Sequence, residues 1–202
     1  MIIDPEDEET REKRYRWVVF RDSMGEAELA RAKTGHYAPE AIRAFLDAAA
    51  MLSTEVPFDG NANGDASRLA RRMLHELLSA PALGDTGHVE GLAEVVAVSA
   101  PRLSSAMSIS GVADDLMHLA GLAAEWSRPA IAASLMATAV DVDLRIASLT
   151  FREDMHQIRL NRAASRLEEA RARVGDDAAA LAALDQREAR LRELGRKPDG
   201  AS

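Results

Sequence analysis

Two pairs of residues on helical stretches of this sequence have the types and spacing to do chemistry, while a third, Asp85-x-x-His88, sits in a Gly-rich turn and reads as part of a loop. Asp115-x-x-His118 and Glu153-x-x-His156 each set a carboxylate and an imidazole three residues apart, which puts both side chains on one face of a helix. A carboxylate and a neutral imidazole so placed can share a metal ion. With no cysteine in the chain, any metal site must be built from His, Asp, Glu or Asn.

The pairs resemble those of the helical di-metal carboxylate proteins, the ferritin-like family, which combine two such pairs with two further carboxylates from other helices. The resemblance implies Asp115, His118, Glu153 and His156 as ligands, with Glu76 or Glu94 as an added carboxylate and an oxidative activity. The order of elements departs from that pattern. The family places a carboxylate-bearing helix between its two pairs, whereas here His118 leads through Glu125 directly to the helix of Glu153, and one pair has Asp for Glu. The competing reading makes Glu153 and His156 polar breaks in an apolar seam, which cost stability but fix register. A pH-sensitive interface follows if His156 faces an acid or an arginine.

A second loop, Asp59 to Ala70, matches an EF-hand calcium loop at Asp59, Asn61, Asn63 and Gly64, but its twelfth position is Ala70 where a bidentate Glu is required. A turn followed by a helix capped at Asp65 explains the same residues. No nucleophile elbow, phosphate-binding glycine loop, H-E-x-x-H or kinase-like set is present.

The elements that must position these residues read as helices. Aromatic residues are 4% of the chain and Ala, Leu, Arg and Glu are abundant, so the predicted fold class is all-α. Helices are predicted from Glu6 to Lys33 with Trp17, Phe20 and Met24 on one face, from Pro39 to Pro57, from Asp65 through Leu78, and from about His88 to Ser99. The next is capped by Ser110 and runs through Trp126. From Pro129 to Val174 there is no Gly and no Pro, which predicts one helix of about 46 residues, roughly 69 Å long. The stretch Gly175 to Asp177 ends it, and Ala178 to Leu194 returns as a shorter helix. The predicted organisation is an N-terminal helical bundle over residues 1–128 and a coiled-coil-like hairpin arm over 129–202.

The long helix carries a heptad seam running from Leu135 through Val142, Ile146, Glu153, His156, Leu160 and Leu167 to Val174. Beside it stand Arg145, Arg152, Arg159, Arg166 and Arg173 at a strict interval of seven. Asp141 can reach Arg145 and Glu169 can reach Arg173 at helical spacing, but Arg152, Arg159 and Arg162 have no acid three or four residues away and need partners elsewhere. Most of the negative charge lies in residues 1–150, and the acidic cluster Asp4, Glu6, Asp7, Glu8 and Glu9 is one candidate partner, within the chain or on a neighbour.

The net charge of −8 argues against nucleic acid, although REKRYRWVVFR mixes basic and aromatic residues in a way that suits weak backbone contact and stacking. The longest apolar run falls short of the roughly 20 residues a membrane span needs. The acidic N-terminus does not read as a targeting segment, and the absence of cysteine fits a reducing, cytoplasmic setting. The expectation is a non-catalytic interaction or assembly subunit that joins a protein partner, including a second copy of itself, through seam and rail. No cofactor is expected for it.

Overall fold

The computed structural model describes residues 8–53, 60–80, 86–102, 111–150 and 152–196. Among them all regular structure is helical: α1 (Glu8–Thr34), α2 (Pro39–Ser53), α3 (Gly60–Ser79), α4 (Thr86–Ser99), a 3-10 turn (Ala100–Arg102), α5 (Val112–Glu125), α6 (Pro129–Leu149), α7 (Glu153–Val174) and α8 (Ala178–Gly195). The protein is all-α, as its composition predicts.

The punctuation is local chemistry. Gly35, at φ +84°, stops α1 in the left-handed conformation that glycine adopts without strain. Pro39 opens α2, where a missing N–H costs nothing. Asp177 accepts from the N–H groups of Ala179 and Ala180, both at 3.0 Å, and so starts α8 after the turn at Gly175. The turn at Gly175–Asp177 and the return helix α8 are therefore where the sequence places them.

Helix α6 lies at the centre and packs against α4, α5, α7, α8 and the 3-10 turn. Its buried residues, among them Leu135, Met136, Val140, Val142, Leu144 and Ile146, lie on all of its sides. A helix that is apolar all round is stable only when surrounded. One cluster of buried residues runs from Phe20 and Phe45 through Met73 and Leu92 to Leu167 and Leu184, across the expected boundary at residue 128.

The helix expected to run unbroken from Pro129 to Val174 is two helices. Thr150 (φ −99°, ψ 117°) and Arg152 (φ −83°, ψ 120°) are extended, and α7 folds back along α6. Neither Gly nor Pro marks the break. The β-branched Thr150 is a weak helix former, and its hydroxyl donates to the Ile146 carbonyl at 2.7 Å, competing with continuation of the helix. Glu153 and Asp154 then place negative charge at the new N-terminus. Burial completes the argument: the fold-back takes Leu160 and Leu167 out of water, worth about 1.5–3 kcal/mol each.

The calcium-loop reading does not survive either. Gly60 to Ala70 is helical, which is incompatible with the tight loop of an EF-hand, and Asp65 lies inside α3 paired with Arg68 at 2.6 Å rather than capping the helix. The expected stop at Pro57, the cap at Ser110 and the side chains of the acidic cluster from Asp4 to Glu9 lie outside the described residues.

Candidate functional site

Much of the seam, and four of the five rail arginines, meet partners inside the chain. Leu160, Ala163 and Leu167 are buried in the common core. Arg159 and Arg166 both reach Asp143 of α6, Arg159 at 3.5 Å and Arg166 by a short hydrogen bond, and Arg166 also binds Asp114 of α5. Asp143 has no accessible surface. Burial raises its carboxyl above the ordinary aspartate range, opposed by Arg166 and Arg159 in that order.

The other arginines divide. Arg173 takes Glu169 at 2.9 Å, as its spacing predicts, and Arg152 pairs with Asp154 at 2.8 Å on the exposed end of α7. The expected Asp141–Arg145 pair is not formed. Asp141 instead binds Arg187 of α8 at 2.5 Å, and Arg187 also donates to the Ala137 carbonyl at 3.1 Å. Arg159, Arg166, Leu160 and Leu167 are thus components of the monomer's interior, which corrects their assignment to a partner surface. The reason is the break at Thr150, which supplies the expected partner helix from the same chain.

The two carboxylate–histidine pairs are not brought together around one centre. Asp115 binds Arg71 of α3, and His118 stacks on His75 of α3 with ring centroids 5.7 Å apart. His156 faces two backbone carbonyls, Ala147 at the end of α6 at 2.9 Å from Nδ1 and Leu194 at the end of α8 at 3.2 Å from Nε2. Both ring nitrogens face carbonyl oxygens rather than further ligand side chains, and Glu153 is exposed on the first turn of α7. Among the described residues no group of three or more His, Asp or Glu side chains converges as metal ligands would.

Asp115 and His118 instead line a cleft of about 570 Å³ between α1, α3 and α5. Its wall is basic: Arg31 from α1, and Arg68, Arg71, Arg72 and His75 from α3, face His118 and Asp115 of α5, with Glu76 at the back. Residues 68, 71, 72 and 75 follow the helical spacing i, i+3, i+4, i+7, so one face of α3 is cationic while Leu69, Met73 and Leu77 bury the other. That spacing is visible in the sequence as RLARRMLH, with a shorter period than the arginine rail. Arg31 is held by Glu76 at 3.2 Å, and Arg72 by Glu28 at 2.6 Å.

Large exposed apolar side chains among the described residues are Tyr15, Val18 and Leu29 on α1, Trp126 after α5 and Ile158 on α7. Only α1 presents several at helical spacing. Tyr15, Val18, Asp22, Gly25 and Leu29 alternate by three and four along its outer side, opposite the buried Phe20 and Ala27. Among the described residues no helix is long and apolar enough to cross a membrane.

The described residues form an all-α structure with a cleft lined by four arginines and with Tyr15, Val18 and Leu29 of α1 turned outward. Compared with known proteins, the chain matches no family model, no curated sequence and no solved structure.

Proposed function

We propose that this chain is a non-catalytic helical assembly protein of the cytoplasm that pairs with a second copy of itself along the outer face of α1. The observation that carries the reading is the stripe of Tyr15, Val18 and Leu29, which are 65%, 45% and 57% exposed. α1 has 27 residues, a length of about 40 Å, and packs chiefly along α2, so its opposite side is open over most of its length.

A second copy is the favoured occupant because reversing the stripe sets its apolar ends against each other, while the two Asp22 carboxylates that meet near the axis each lie beside Arg21 of the other copy. An antiparallel pairing centred near Asp22 sets Tyr15 of one copy against Leu29 of the other. It brings Val18 close to Gly25, where there is no side chain and nothing stands within 4 Å of where one would be. Arg21 then lies beside Asp22 and Glu26 of the opposing helix, all of them exposed. Such an interface is isologous, the commonest form of self-association. The absence of cysteine suits a reducing compartment.

Sedimentation velocity tests the reading. The wild-type protein is expected to be a dimer in the micromolar range, and the double substitution Val18→Glu with Leu29→Glu is expected to be a monomer of unchanged helicity. A wild-type protein that stays monomeric at high concentration would sink it.

A further inference from the structure

We infer that the cleft between α1, α3 and α5 binds a small phosphate-bearing molecule, held by Arg68, Arg71 and Arg72 from one helix face together with Arg31, His75 and His118. The volume of about 570 Å³ lies within the range of small-molecule sites, roughly 300–1,000 Å³. The lining sets four guanidiniums and two imidazoles against two carboxylates, Glu76 and Asp115, while Glu28 and Asp65 hold Arg72 and Arg68.

The carboxylates orient these arginines without exhausting them. Arg68 uses Nη2 on Asp65, Arg72 uses Nη1 on Glu28, Arg71 uses Nη1 on Asp115 and Arg31 uses Nε on Glu76. A guanidinium carries five N–H donors in a fixed fork, so several remain on each. Arg71 is the most buried of the four, with 15% of its side chain exposed, and its Nε is buried with no hydrogen-bond partner. Burial also lowers its pKa despite the pairing with Asp115. A phosphate group, with several oxygens and more than one negative charge, matches several forked donors lining one cleft.

The source of the phosphate follows from the rest of the molecule. An extended polyanion would meet a surface of net charge −8, whereas a small anion meets only the cleft. The ligand class is therefore a small phosphorylated metabolite or free pyrophosphate, with nucleic acid as the alternative for the test to separate.

Isothermal titration calorimetry of the full chain at low salt, with inorganic phosphate and with pyrophosphate as separate probes, gives the answer. Saturable one-to-one binding of at least one probe is expected, and a preference for pyrophosphate would assign a diphosphate group. Arg71→Met and Arg72→Gln should each weaken binding by about tenfold or more. Arg68→Gln and Arg72→Gln alter exposed arginines and keep the test decisive if the Arg71 variant does not fold. Arg152→Gln, on the far exposed end of α7, should change nothing. No saturable binding in the millimolar range, an equal loss in Arg152→Gln, or tighter binding of a single-stranded oligonucleotide than of pyrophosphate would each overturn the assignment.

Discussion

Asp143 and Arg166 form a buried ion pair where α7 folds back on α6, and Arg166 extends the same guanidinium to Asp114 on α5. Three helices are thus tied through one side chain. The taxing part of the arrangement is desolvation of the carboxylate, which is why its pKa is raised even with Arg166 and Arg159 beside it.

A raised folded-state pKa gives this group a definite pH signature. The folded chain holds the Asp143 proton more tightly than the unfolded chain does, so this residue's contribution favours the fold at pH values below about 4 and declines as pH rises through the folded value. Thermal melts of wild type and Asp143→Asn from about pH 3 to pH 7 should therefore show the wild type losing ground to the variant as pH rises. A difference that grows in the opposite sense would mean that the arginines, rather than burial, dominate the site.

Leu167 separates a core role from an interface role. It is buried in the cluster shared by α6 and α7, so Leu167→Ala should destabilise the monomer by about 2–5 kcal/mol in urea unfolding. The dimer expected from α1 should be unaffected, and a change in sedimentation without a change in unfolding midpoint would return Leu167 to a partner surface.

Ser127 joins α5 to α6 with φ +55°, a conformation that costs a residue with a Cβ about 1–2 kcal/mol. Its side chain is exposed. Ser127→Gly should relieve that strain against the greater entropy of the unfolded glycine, leaving a small net gain of up to roughly 1 kcal/mol. Calorimetry should record a higher melting temperature, and a lower one would show that the turn prefers serine for another reason.

His156 braces two helix ends through its ring nitrogens. A protonated ring donates to both carbonyls at once, whereas a neutral ring donates to only one. His156→Ala removes both contacts and should cost about 1–3 kcal/mol. Faster amide exchange at the ends of α6 and α8 in that variant would locate the loss, and unchanged exchange would dismiss the brace.

Much of this architecture can be read from short-range patterns. Gly35, Pro39 and the Gly175–Asp177 turn mark boundaries because each acts on its own backbone. The break after Leu149 could not be read that way. It rests on a weak helix former at Thr150 and on the gain from burying Leu160 and Leu167 against distant residues, a tertiary effect that no local window contains. The same limit explains the site. Asp115 and His118 had the spacing for metal ligation, but their chemistry was decided by Arg71 and His75 on another helix. The basic face of α3 was legible in RLARRMLH, and its depth as a cleft required α1 and α5 to flank it.

The clamp of Arg187 on α6 has a consequence for how the chain is made. Arg187 reaches back 46 residues to Asp141 and 50 to the Ala137 carbonyl, so α6 is complete on the ribosome long before its last ion pair can form. Over that interval a half-buried acid on the central helix lacks its counter-charge, and the nascent chain stays short of its final packing until α8 emerges. Docking of α8 is thus the step that gives the central helix the counter-charge for Asp141.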